Sequence, residues 1–222
     1  MGTKRKRKLA DLPYKGSGGD MAIFAPQYLT DRLKTFTKDM IICLTPRPSL
    51  EREGNTHAYF PGLINCCGML ELLANLYGGT TRNRTKRYDR IYAYGRFLRH
   101  HCYSNDNLRV LYLALRNATA HHSSAGGVWA ENDKVKNGRR VTWTIYADYN
   151  HPALALKAES CVLRNDSPYD CPYTHRMHVR LGRLWRDIRD SVFESNGYLN
   201  ALRSDPLLMQ EFANCMEHIY PK

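Results

Sequence analysis

Hydrophobic positions in the first half of the chain recur at the three-to-four-residue step of helices buried along one side. Over 21–44, Ile23, Phe24, Tyr28, Leu29, Leu33, Phe36, Met40 and Ile41 mostly keep that step. A helix is predicted there, with Pro26 tolerable only in a first turn and Pro46 and Pro48 ending it. Residues 58–77 (AYFPGLINCCGMLELLANLY) are apolar nearly all round and stop at Gly78-Gly79, the pattern of a central helix. Its single ionisable side chain, Glu71, falls on the side of Phe60, Ile64 and Cys67 at about 100° per residue. Two readings stand: a carboxylate that reaches solvent at the helix edge, or a buried acid that needs a cation, with Arg116 the first partner to test.

Residues 82–101 (RNRTKRYDRIYAYGRFLRHH) predict a third helix, with Tyr88, Ile91, Tyr92, Gly95 and Leu98 inward. Seven basic residues against one Asp include Arg82, Arg84, Lys86 and Arg87. Basic side chains interleaved with tyrosines suit RNA backbone and base contacts, although such a run is more often only a solvated face. A fourth helical run occupies 107–122.

After Ser123 the period changes from helical to two. Asn137-Gly138 is a hairpin-turn signal, 141–146 is β-branched and aromatic, and 153–162 is a further strand. A β-hairpin or small three-stranded sheet is expected, inserted at about 128–165. A long basic helix is then expected over 174–202, with Val179, Leu181, Leu184, Trp185, Ile188 and Val192 inward. Ser204-Asp205-Pro206 caps a last helix through Ile219. The expected class is mainly α.

At 222 residues, with 43% hydrophobic and 24% charged positions, the chain has the length and balance of one globular domain with a full core. That domain is expected over 21–222. Residues 1–20 join a Lys/Arg cluster to a Gly/Ser-rich stretch and read as a basic flexible tail: an import signal, a nucleic-acid arm or a solubilising leader. Six basic and two acidic residues there account for +4 of the net +12, leaving +8 for the rest. A body this basic suits a polyanion, and it equally describes a basic protein with no such partner.

Seven cysteines, without a Cys-x-x-Cys pair or a secretory signal, point to reduced thiols and a cytoplasmic location. No apolar run approaches the roughly 20 residues of a membrane span. Cys171-x3-His175-x2-His178, with Cys161, offers zinc-ligand types at a spacing that matches no common zinc module, so neither metal nor other cofactor is expected.

The fourth run carries the candidate chemistry. With Leu108 as origin, Leu111, Tyr112, Leu115, Ala118, Thr119 and His122 fall on one face at about 100° per residue. Val110, Leu113 and Ala114 line up with Asn117 and His121 on another. Two apolar faces call for a second partner, and another copy of the same helix is the simplest. His122 belongs with the core, as a hydrogen-bonded structural histidine. Arg116 lies about 100 to 140° from Asn117 and His121 on an undistorted helix, so the Arg must reach round, the helix end must loosen, or two motifs must meet.

Arg116-Asn117-Ala118-Thr119-Ala120-His121, closing an apolar helix, resembles the Arg-x4–6-His signature of the HEPN superfamily, including the polar residue after the Arg. Arg96 and His101 repeat the spacing but with Phe97 in that place. The resemblance covers roughly 21–124 and the last two helices. It implies an up-and-down helical bundle dimerising through the motif helices, with the small β insertion lying outside the family's common core. It also implies metal-independent endoribonuclease activity at a composite homodimer site, as in toxins and antiviral defence effectors, with RNA as partner and an antitoxin or larger effector complex as further candidates. His121 would be the acid or base, Arg116 the phosphate ligand and Asn117 an orienting group, supported by Glu71 and His122, with Arg82, Arg84, Lys86 and Arg87 binding RNA. A catalytically inactive RNA-binding or scaffold protein of the same family is the alternative, and a DNA-associated protein led by the basic tail is a third reading.

Overall fold

The computed structural model describes residues 21–46, 58–78, 90–98, 103–112, 128–130, 139–158 and 175–219. Helices dominate: α1 (Met21–Leu44), α2 (Tyr59–Gly78), α3 (Asn105–Arg109), α4 (Leu181–Phe193), α5 (Tyr198–Ser204) and α6 (Pro206–Ile219). Four strands form one sheet: β1 (Val128–Ala130), β2 (Arg139–Tyr146), β3 (Leu154–Ala158) and β4 (His175–Arg180). The chain is therefore mainly α with a small sheet.

α1 runs the full predicted length and continues through Pro26, which sits in the second turn rather than the first. Its end is closed by Thr45, whose Oγ1 donates to the Ile41 carbonyl at 2.7 Å. The Ala58 amide donates to the Cys43 carbonyl at 3.0 Å, which places the start of α2 at the end of α1. α2 is central, packing against α1, α4 and α6 through Leu63, Cys66, Leu70, Leu73 and Leu76. Each such side chain contributes about 1.5–3 kcal/mol by leaving water. α2 nevertheless has an outer edge, where Phe60 and Ile64 are 40% and 45% exposed. Glu71, placed on that side by sequence, is half-buried, which fits the carboxylate at an edge.

The described part of the third helical segment turns as α-helix over 90–94 and tightens into a 3₁₀ turn at Gly95–Phe97. Arg90, counted by sequence in a basic face, is buried there, and its Nη1 donates to Asn75 Oδ1 at 2.7 Å.

The sheet order is β1-β2-β4-β3. β1 and β2 form the expected antiparallel pairing, with Ala130 opposite Arg139, and the Asn137-Gly138 turn lies outside the described residues. β2 runs parallel to β4, and β3 antiparallel to it. The sheet thus reaches beyond the expected 128–165 insertion, because 175–180 is a strand and not the start of a helix. Met177 and Val179, two residues apart, are both fully buried on the face toward α4, a spacing that a strand aligns and a helix does not. The rest of the expected long helix is divided. α4 ends at Phe193 and α5 begins at Tyr198, with Gly197 between them, where a Cβ would fall 2.8–2.9 Å from the carbonyls of Val192, Glu194 and Ser191.

α6 begins and ends as its sequence predicts. Asp205 Oδ1 accepts from the Leu207 and Leu208 amides at 2.9 and 3.3 Å, with Pro206 in the first helical position. One buried cluster takes side chains from α1, α2, the 90–98 and 103–112 segments, three strands and α4 to α6.

Candidate nucleic-acid interface

The helix that leads to the Arg116 motif is fixed at its start. Ser104 caps α3, its Oγ accepting from the Asn107 amide at 3.1 Å. Asn107 Nδ2 reaches across to the Leu154 carbonyl of β3 at 3.4 Å. Just before the cap, the buried Tyr103 hydroxyl donates to Asp187 Oδ2 of α4 at 3.1 Å, and Arg183 Nε donates to the other carboxylate oxygen at 2.8 Å. Burial and the neighbouring Asp187 charge both push the Tyr103 phenol well above its ordinary range, so it stays a donor. α3 then widens into a π-helical turn over 110–112, a form that recurs at functional sites.

That turn corrects one expectation. Leu108, Leu111 and Tyr112 are buried as predicted, but Val110 is only 3% exposed and joins the same cluster. The chain's own core covers Val110, so it is not part of a second apolar face left open for a partner. Arg116, Asn117, His121 and His122 lie outside the described residues, as do Leu113, Ala114, Arg82, Arg84, Lys86 and Arg87. Of the sequence-derived site, only Glu71 is described.

What the described residues do assemble is a basic face on the sheet. β2, β3 and β4 turn Val141, Trp143, Ile145, Leu154, Leu156, Met177 and Val179 toward the helices. Alternation puts Thr144, Tyr146, Ala155, Lys157, Arg176, His178 and Arg180 on the opposite side. There the Tyr146 and His178 rings stack at 5.9 Å and 9°, and the Tyr146 hydroxyl and His178 Nδ1 share a hydrogen bond at 3.1 Å. The Arg180 guanidinium covers Tyr146 at 5.0 Å from the ring centre and pairs with Asp148 at 3.3 Å. Sequence reasoning missed this row by reading 174–180 as helix. The alternation Arg176-Met177-His178-Val179-Arg180 is the signal that would have found it.

The same strand bears on the zinc alternative. His175 and His178 are three residues apart on a strand and therefore point to opposite faces. Among the described residues no cluster of His, Cys, Asp and Glu is placed to hold a metal, and Cys161 and Cys171 lie outside them. A polar cleft of about 430 Å³ opens between α3 and the β3 edge, lined by Ser104, Asp106, Asn107, Leu156 and His175. No helix among the described residues is long and apolar enough to cross a membrane. No family model, curated protein or solved structure matches this chain.

Proposed function

We propose that the protein is a metal-independent endoribonuclease of the HEPN type, acting as a homodimer in the manner of a toxin or defence effector. The observation that carries this reading is the continuity of Arg116-Asn117-x3-His121 with a helical run whose start is capped, tied to α4 and β3, and buried through Leu108, Val110, Leu111 and Tyr112. In the reaction the ribose 2′-oxygen loses its proton and bonds to the adjacent phosphorus. The bond from phosphorus to the 5′-oxygen breaks and that oxygen takes up a proton, leaving a 2′,3′-cyclic phosphate and a 5′-hydroxyl. His121 serves one of the two proton transfers. Arg116 neutralises charge on the phosphoryl oxygens, and Asn117 orients His121 or the phosphate.

The test is incubation of the purified protein with single-stranded RNA in EDTA. His121→Ala and Arg116→Ala are each expected to slow cleavage by about 10²-fold or more. Cleavage that survives both substitutions would sink the assignment. Wild-type protein that binds RNA without cutting it selects the second reading, a catalytically silent RNA-binding protein, which the basic row on the sheet favours. Sedimentation at equilibrium reads the pairing: a monomer at micromolar concentration removes the composite site.

A further inference from the structure

We propose that the polar cleft between the 3₁₀ turn at Gly95–Phe97 and the start of α5 binds the phosphate group of a nucleotide-sized ester, with Arg96 as its cation. The cleft has a volume of about 440 Å³, and its lining includes Arg96, Phe97, Ser195, Asn196, Asn200 and Ser204. That lining holds one cation and no carboxylate. The proposal uses none of the motif residues and stands whether or not the chain cuts RNA.

Arg96 is exposed, and its guanidinium lies over the Tyr77 and Phe97 rings at 5.1 and 4.7 Å from their centres. Among the described residues it makes no ion pair and no hydrogen bond. A ring contacts the flat face of a guanidinium, so the N–H donors around its edge stay available to oxygen. Tyr77 and Phe97 pack in turn on the buried Tyr94 and Tyr198, which puts apolar matter rather than water beneath the charge. A charge so placed attracts an anion more strongly than one on a fully hydrated side chain. Stacking also restricts the side chain before a ligand arrives, so less ordering remains to be lost on binding.

The facing wall is equally set. Asn200 Nδ2 donates to the Ser195 carbonyl at 2.6 Å, and the Gly197 amide donates to the Glu194 carbonyl at 2.8 Å, which closes 194–197 into a tight turn. Ser204 returns its hydroxyl to the Asn200 and Ala201 carbonyls at 3.1 and 3.2 Å. Ser195 and Asn196, both exposed, keep a hydroxyl and a carboxamide with no side-chain partner among the described residues. A guanidinium fork takes two oxygens of an anion. A carboxylate would then be used up, whereas a phosphate ester has a third terminal oxygen for the neutral donors of Ser195 and Asn196. The cleft also falls within the size range of small-molecule sites and exceeds what a bare phosphate fills, with Phe97 as an apolar side for the organic part.

The experiment is isothermal titration of the full chain with AMP, with adenosine as the uncharged control. AMP is expected to bind about tenfold tighter than adenosine or more, and Arg96→Gln to abolish that difference. Arg96→Lys keeps the charge without the fork and is expected to restore only part of it. Asn196→Asp, a change at an exposed position, sets a like charge beside the phosphate and is also expected to weaken AMP about tenfold. No binding of AMP at millimolar concentration, equal binding of adenosine, or AMP affinity unchanged in Arg96→Gln and Asn196→Asp would each overturn the proposal. A 2′-O-methyl RNA strand with and without a 5′-phosphate separates the two sources of the group. A phosphate-dependent gain that exceeds that of AMP and is lost in Arg96→Gln assigns the cleft to an RNA end, and a gain no larger assigns it to a free nucleotide.

Discussion

At the scale of single residues, Asp187 is a buried carboxylate, 1% exposed on α4. A buried carboxylate needs charge or hydrogen bonds to offset desolvation, and Tyr103 and Arg183 supply both. Tyr103→Phe removes one donor and is expected to cost about 1–3 kcal/mol, read as a lower urea midpoint with an unchanged slope. No shift in the midpoint would mean that the hydroxyl contributes nothing there. None of this was legible in sequence, since Tyr103 and Asp187 are 84 positions apart and neither stands in a motif. Glu71 was legible in part: its helix side was set by the 3.6-residue period, whereas its half-burial depended on which neighbours cover that side.

At the scale of elements, helix boundaries set by side-chain chemistry were readable and boundaries set by packing were not. Asp205-Pro206 starts α6 in sequence and in space, because the cap needs only residues within three positions of it. Over 174–202 the helical step of Leu181, Leu184, Ile188 and Val192 predicts one helix, although Val179 lies about 200° from Leu181 and does not share that face. The stretch is a strand followed by two helices because β2 offers Met177 and Val179 a parallel neighbour. The junction of β4 with α4 is tight: a Cβ on Gly182 would lie 2.5 Å from the Ala147 carbonyl oxygen and 2.8 Å from Tyr149 Cε1. Gly182→Ala is therefore expected to destabilise by about 1–3 kcal/mol or more, since backbone must shift. Thermal melting checks it, and a variant as stable as wild type would show that the loop over 147–149 yields freely.

At the scale of the whole molecule, burial makes alkaline pH destabilising. Burial pushes the Cys215 thiol up to about 11 from 9.0, with Arg90 opposing and Glu211 adding to the shift. The folded state keeps that proton where the unfolded state gives it up, so the contribution is whole below 9.0 and is lost as pH rises toward about 11. The Tyr94, Tyr103 and Tyr198 phenols, raised by burial, act in the same direction above 10.0. Urea midpoints should fall across that range; a flat profile would contradict the burial of these groups. Cys43, Cys66, Cys67 and Cys215 are likewise expected to resist iodoacetamide until the chain unfolds, as followed by mass spectrometry. By itself the sequence determined the helical class, the span of α1 and the cap of α6, because periodicity and capping act over a few residues. Only the tertiary structure decided that Val110 turns inward, that 175–180 is a strand, and that Arg176, His178, Arg180 and Lys157 share one face. Those outcomes depend on which distant segment supplies the neighbouring surface, and a local pattern does not record its partner.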